Sequence, residues 1–248
     1  MKYMGSKRRV SKYILPIILK GRKPGQWYVE PFCGGCNLID KVDGPRMAND
    51  INRPLIEMFK ALQSGWRFPD EISKDQYVTL KEAYEEGKFI DDRFLGLIGW
   101  VGFTASYNGK FFNGYVNESS GRNYQREAQK NILNQVKKLS DVVFTSGSFT
   151  EMQIPEESII YCDIPYRETT SYKAGGLDYD AFYTWAVCMA NAGHKVYVSE
   201  YSIEHPNFVQ VWEMDVKNEL NRFANGGDKG YKTERLYRVL SDEDLELL

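Results

Sequence analysis

Four consecutive residues, Asp163-Ile164-Pro165-Tyr166, bring together a carboxylate, the backbone carbonyl of Ile164, a stiff turn and an aromatic face. Those groups suit an exocyclic amine on a flat ring. Both acceptors take its N–H bonds while the phenol ring stacks on the base. Taken alone, the tetrad favours a plainer reading, a strand end with a satisfied acid and a rim tyrosine. A second set shifts that balance: Glu30, the glycine pair Gly34-Gly35, and Asp50 twenty residues beyond Glu30. An acid about 20 residues downstream of a glycine turn is the spacing nucleoside binders use to hold ribose hydroxyls.

These residues need elements to hold them. Ile159-Ile160-Tyr161-Cys162 is a short apolar, β-branched run and reads as a buried strand that ends on Asp163. In open α/β sheets, ligands sit outside the carboxyl ends of such strands. Gln26 to Glu30 reads as a strand that runs into the glycine turn, with a helix expected to start near Asn37. The glycines are expected to let the backbone approach a ligand, with the helix N-terminus behind them. Pro45 to Asn49 reads as the next strand. Further strands are expected at Asp141–Ser146 and Lys195–Ser199, with Phe208–Val216 and Arg235–Leu240 paired antiparallel at the sheet edge. Helices are expected at 54–65, 73–86 and 91–101, from just after Arg126 to about Leu139, and at 178–192. The fold class is therefore α/β.

Four stretches, in this order, resemble the Dam-like DNA N6-adenine methyltransferases. They are Lys2-Tyr3-Met4-Gly5-Ser6-Lys7, then Val29 through Gly35, then Asn49-Asp50-Ile51-Asn52 with Leu55-Ile56, then Tyr161 through Tyr166. The segment from Gly102-Phe103 to Tyr107-Asn108-Gly109 and the run Thr233-Glu234-Arg235 are also similar, so the resemblance spans nearly the whole chain. Cys36 departs from the pattern, which has Gly or Ala there. Ile164 also departs, replacing the first proline of Asp-Pro-Pro-Tyr.

The resemblance implies a Rossmann-like methyltransferase sheet with helices on both faces and a mostly helical target-recognition insertion. It places the catalytic domain at 1–55 and 141–248 and the insertion at 56–140. It implies S-adenosyl-L-methionine as cofactor, contacted by Tyr3, Lys7, Asp50 and Asp163, with Glu30, Phe32, Gly34 and Ile51 lining the pocket. Lys7 would pair with the methionine carboxylate, and Asp50 would accept from both ribose hydroxyls. It implies adenine in double-stranded DNA as substrate, with Asp163, Ile164, Pro165 and Tyr166 as the catalytic set. Two other classes stay open. One is a non-catalytic descendant that binds DNA or cofactor only. The other is an N-methyltransferase for cytosine N4, RNA or a protein amide.

The chain has 248 residues and a net charge of −2, which argues against a uniformly basic coat for nucleic acid. Its charge is uneven: Lys2 to Lys23 contains many Lys and Arg and no acid, while Asp242 to Glu246 is acidic and is expected to be frayed. One basic face suffices for a DNA enzyme. The run Tyr13–Leu19 is short, is interrupted by Pro16 and lacks a small-residue cleavage site, so it reads as a helix rather than a signal peptide. No stretch is long enough to span a membrane, and a cytoplasmic location is expected. Cys33-x-x-Cys36 has no second paired motif for zinc and no thioredoxin-like order around it, so it reads as small residues in a tight turn. No metal is expected. With Cys162, these thiols are expected beside the pocket.

Between Phe103 and Tyr124 the pattern turns to Asn, Gly and aromatics, and Asn108-Gly109 is a turn signal. Arg, Asn and Gln read base edges in the major groove, and aromatics fill the space of an extruded base. Lys110, Arg122 and Arg126 are the candidate DNA contacts. A stapled surface loop is the plainer alternative for any single residue here. Relatives that read GATC carry an arginine three residues after the Asn-Gly glycine; Phe112 stands there, so GATC is not carried over. Arg167 to Gly176 is polar and glycine-bearing and is expected to be a mobile loop over the site.

Overall fold

In chain order the elements are α1 (Ser11–Ile18), β1 (Tyr28–Glu30), β2 (Arg46–Asp50), α2 (Arg53–Gln63), α3 (Lys74–Glu85), α4 (Asp92–Thr104), β3 (Glu118–Ser119), β4 (Arg122–Asn123), α5 (Tyr124–Val136), β5 (Val142–Ser146), β6 (Ile159–Asp163), α6 (Tyr179–Asn191), β7 (Lys195–Glu200), β8 (Phe208–Lys217), β9 (Tyr231–Val239) and α7 (Asp242–Glu246). They come from a computed structural model that describes residues 1–88, 91–119, 121–166, 176–217 and 231–247. Seven of the strands belong to one mixed sheet, and β3 and β4 form a separate short hairpin. The fold is α/β. The loop expected over the site falls, but for Gly176, outside the described residues. Among the described residues, no helix is long and apolar enough to cross a membrane.

Packing divides the chain into two units, residues 1–12 with 31–153 and residues 13–30 with 154–248. In the first, β2 and β5 pair in parallel from Arg46 opposite Val142 to Asp50 opposite Ser146. The helices between them start where the sequence supplies caps. Asn52 accepts from the Leu55 N–H, and Ser73 forms a full capping box with Gln76. Asp91 and Asn123 cap α4 and α5 in the same way. α2 packs along α4 at a glycine stripe that sequence reading had missed. A β-carbon on Gly99 would lie 2.1 Å from the Pro54 carbonyl oxygen, and one on Gly96 would lie 3.0 Å from that of Glu57. Only hydrogen at these positions lets the two backbones meet.

The second unit holds β1, β6 and β7 as neighbouring parallel strands. β9 is antiparallel to β7 and separates it from β8, with which it forms the expected antiparallel edge pair. Ile159, Ile160, Tyr161 and Cys162 are fully buried, which explains why that run carries no alternation. Asp178 caps α6 by accepting from the Ala181 N–H.

Two expectations about local structure fail. The glycine turn leads into a three-residue 3-10 turn, Ile39–Lys41, rather than an α-helix. Cys36 is left-handed at φ 53° and Val42 is already extended, so too few residues remain before Gly44-Pro45 to build one. The acidic stretch 242–246 is not frayed. Ser241 caps it as α7 by accepting from the Asp244 N–H, and acids in a first turn complement the helix dipole.

Gly99→Ala should destabilise the protein by about 1–3 kcal/mol, because overpacking against a backbone carbonyl outweighs the roughly 1 kcal/mol that alanine gains in helix propensity. A urea midpoint unchanged or raised in Gly99→Ala would refute the close approach of α2 and α4.

Candidate functional site

Asp50, the last residue of β2, is locked by two backbone donors. Its Oδ2 accepts from the Gly34 N–H at 2.9 Å and its Oδ1 from the Asn52 N–H at 2.9 Å. Each oxygen keeps a second lone pair, so the carboxylate is oriented yet still able to accept two hydroxyls. Burial pushes its pKa above the usual carboxylate range, and the Asn52 and Gly34 N–H bonds pull partly against that rise. Ile51, the next residue, is 81% exposed, an unusual position for isoleucine and an apolar surface beside the acid. These acceptor oxygens and this surface suit a nucleoside, whose diol can donate to a carboxylate and whose base can lie on an apolar face.

The glycine turn behaves differently from expectation. A β-carbon on Gly34 would lie 2.7 Å from Tyr3 Cε1, and one on Gly35 would lie 2.6 Å from Tyr3 Cβ. The space the glycines open is therefore filled by the protein's own Tyr3, whose ring also meets Phe103 at 5.8 Å. From below, Gln135 donates to the carbonyls of Gly35 at 2.9 Å and Cys36 at 2.8 Å. Lys7 is buried in a 3-10 turn capped by Ser6. Phe32 packs on Phe149 at 5.3 Å. Tyr3, Lys7, Phe32, Gly34, Asp50 and Ile51 all lie in the first packing unit.

Glu30 and the tetrad lie in the second. Glu30 is buried and accepts from the Tyr28 hydroxyl at 2.9 Å. Burial, reinforced by the Glu30 charge, pushes the Tyr28 phenol well above its ordinary pKa. Asp163 closes β6, and Ile164 behind it is buried. The Pro165 carbonyl is taken by the Tyr179 hydroxyl at 2.6 Å. Tyr166 is buried rather than standing at a rim. Its hydroxyl donates to Glu234 at 2.5 Å, and its ring meets Tyr201 edge-on, with centroids 4.2 Å apart. Burial, then the charges of Asp163 and Glu234, push its phenol far up, so it stays a donor. Glu234, Tyr201 and Gln135 are supports whose partners lie far off in sequence, and the signal at Glu234 was the resemblance carried by the run Thr233-Glu234-Arg235.

In the expected recognition segment, Phe103 and Phe112 are buried and Phe111 is half-buried. They pack on one another and on Tyr77 and Tyr84, mostly tilted or edge-on. Most of these aromatics thus form core. The Asn108-Gly109 turn is present, both residues being left-handed, and Tyr107 beside it is 60% exposed. Gly109 rests on the Lys2 carbonyl, where a β-carbon would lie 2.4 Å from the oxygen. Lys110 is half-buried. Arg122 is exposed, pairs with Glu127 and lies over the Tyr124 ring at 5.2 Å. Arg126 pairs with Glu71 at 3.4 Å beside a cleft of about 660 Å³ that Asp70 and Glu118 also line. Exposed pairs of this kind are worth about 0–1 kcal/mol, so phosphates can displace the acids.

The family model described as D12 class N6 adenine-specific DNA methyltransferase matches residues 3–214. Among solved structures the chain is similar to SMU.472, assigned as a methyltransferase and solved in complex with SAH, at 12% identity and a TM-score of 0.38, over 97% of this chain and 54% of that one. It is also similar to lmo1582 from Listeria monocytogenes, assigned as a class I S-adenosylmethionine-dependent methyltransferase, at 9% identity and a TM-score of 0.41, over 98% of this chain and 62% of that one. A third is yhhF from Escherichia coli, at 9% identity and a TM-score of 0.37, over 95% and 85%. The chain thus spans about half the length of the first of these. The family model, and not these structural likenesses, carries the assignment.

Cys33, Cys36 and Cys162 are buried, whereas Cys188 is exposed. Burial, then the charges of Asp163 and Glu30, push the Cys162 thiol well above its ordinary pKa. Only the thiolate reacts. A disulfide reagent should therefore titrate one thiol per native chain quickly and all four only in denaturant. Two or more thiols reacting together in native protein would contradict this placement.

Proposed function

The chain belongs to the D12 class N6 adenine-specific DNA methyltransferase family, and from that premise we propose that it transfers the methyl group of S-adenosyl-L-methionine to N6 of an adenine in double-stranded DNA. The observation that supports the cofactor reading best is Asp50, whose carboxylate is oriented by the Gly34 and Asn52 N–H groups with a lone pair left on each oxygen. When bound, the cofactor supplies an electrophilic methyl group on a sulfonium. Asp50 would hold its ribose hydroxyls, Ile51 would line the pocket beside its base, and Lys7 would pair with its carboxylate. The family resemblance adds Tyr3, Phe32, Gly34, Glu30 and Asp163 as cofactor contacts.

The amine chemistry falls to the tetrad. The adenine N6 lone pair is delocalised into the ring and is a poor nucleophile. Asp163 accepts one N6–H and the Ile164 carbonyl accepts the other, which holds the nitrogen nearer tetrahedral and aims its lone pair. Pro165 holds Ile164 extended whatever its side chain, and isoleucine, being β-branched, prefers that region. The departure from Asp-Pro-Pro-Tyr therefore keeps the working carbonyl in place. Tyr166 supplies the aromatic contact to an extruded base. Residues 56–140 carry target recognition, with Lys110, Arg122 and Arg126 as the DNA contacts. Phe112 is buried among aromatics and reads no base.

Incubation with tritiated cofactor and DNA, followed by nucleoside analysis, tests the reaction. Label in N6-methyladenine supports it, and label in N4-methylcytosine or in no nucleoside refutes it. Asp163→Ala should lose on the order of 3 kcal/mol of transition-state stabilisation, a rate loss of about a hundredfold, with normal melting. Turnover within tenfold of wild type would remove Asp163 from the chemistry.

Asp50 sets a pH dependence. Its acceptor role needs the ionised form, so cofactor affinity should fall as pH falls through the folded-state pKa. Burial raises that value, so the loss should begin above the usual range for aspartate. The raised value also means that the folded state gains stability from this group as pH falls through the same window, so protonation of Asp50 weakens binding without itself promoting unfolding. Calorimetry between neutral and mildly acidic pH should show the fall in wild type. Asp50→Asn should bind more weakly at neutral pH and give a flat acid profile. An Asp50→Asn profile parallel to wild type would assign the titration elsewhere.

A further inference from the structure

We propose that Glu234 is a positioning residue that holds the tetrad tyrosine, Tyr166, in its working orientation. The inference rests on the methyl-transfer reading above and adds a residue to it. The tetrad's backbone is fixed by Pro165, but a proline cannot fix the side chain that follows it. Tyr166 has two free torsions, and a ring meant to contact a base must not rotate away. Its hydroxyl donates to the Glu234 carboxylate at 2.5 Å, the short distance of a charge-assisted O–H···O⁻ bond.

The sheet explains how a residue 68 positions away reaches the tetrad. β7 and β9 pair only as far as Glu200 opposite Arg235. β9 starts four residues earlier, at Tyr231, and along that overhang pairs with β8 alone, Glu234 standing opposite Met214. The overhang therefore faces the loop that follows β7 rather than the strand itself. Two more side chains of β9, one on the overhang and one at its root, tie that loop down. Arg235 donates to the Tyr201 carbonyl and pairs with Glu213 at 3.2 Å. Lys232 lies 4.3 Å from the centre of the Tyr201 ring. Tyr201 in turn backs the Tyr166 ring at 4.2 Å. The tyrosine is thus held at its hydroxyl by Glu234 and at its ring by a residue that the same strand end secures.

A residue acting through the Tyr166 hydroxyl has a signature that general support of the fold lacks: its effect disappears when the hydroxyl is gone. The test is a double-mutant cycle of Tyr166→Phe and Glu234→Ala, with Glu234→Gln as the conservative variant. Each protein is assayed for kcat on DNA, cofactor affinity by calorimetry, and melting. Either single substitution is expected to lower kcat at least fivefold with cofactor affinity within twofold of wild type. The double variant is expected to be no slower than Tyr166→Phe alone. Glu234→Gln, which keeps a carbonyl acceptor, is expected to recover most of the loss.

Wild-type kcat in Glu234→Ala would overturn the proposal, as would multiplicative losses in the double variant or a cofactor affinity that falls with kcat. If the wild-type chain methylates no DNA, the reaction assigned above is refuted. The Glu234–Tyr166 coupling is then judged on the melting arm, where non-additive shifts support the pairing and additive ones refute it.

Discussion

A single carboxylate, that of Asp50, organises the first packing unit. It ends β2, takes the Gly34 N–H on one oxygen and takes the Asn52 N–H on the other. Those two bonds tie the glycine turn to the start of α2, because Asn52 is also the residue that caps that helix. α2 then meets α4 backbone to backbone at Gly99. One partly desolvated acid therefore couples a turn, a strand end and a helix pair. The cost of burying it is partly offset by the same bonds that align it.

How much of this was legible depends on the range of the interaction. Strands ending on Glu30, Asp50 and Asp163 could be read because each is a local pattern, a short run closed by an acid, β-branched at Ile159-Ile160 in the last of them. Helix starts could be read because Asn52, Ser73, Asp91 and Asp178 cap within three residues of themselves. The glycine turn misled for the opposite reason. Nothing near Gly34 says that the space above it belongs to Tyr3, 31 positions earlier, or that the carbonyls of the next two residues, Gly35 and Cys36, are held by Gln135, about 100 positions later. Tyr166 was read as an open aromatic face, and its burial against Tyr201 and Glu234 depends on strand order, which no local pattern encodes.

The aromatic segment around Phe111 illustrates that composition does not say which rings face inward. Rings interleaved with amides and cations look like a base-reading loop. Here the rings of Phe103, Phe111 and Phe112 pack on α3 through Tyr77 and Tyr84, and the cations Arg122 and Arg126 sit with acidic neighbours. What remains outward is a smaller set than the sequence suggested, Tyr107 among it. A stiff aromatic base beneath a few outward groups is a sound way to build a recognition surface, because binding then costs little ordering entropy.

The position of β9 also bears on how the protein is made. β7 and β8 precede it in the chain, yet in the sheet β9 lies between them. As the polypeptide leaves the ribosome, β8 cannot take its final neighbour, and β7 presents an unsatisfied edge until the later strand arrives. Translation runs at roughly 5–20 residues per second, so that edge is open for about a second or more, a template for misassembly. Completion of the sheet and restraint of Tyr166 by Glu234 come in the same event. A nascent chain stalled before β9 would carry the whole tetrad and still lack the frame that holds it.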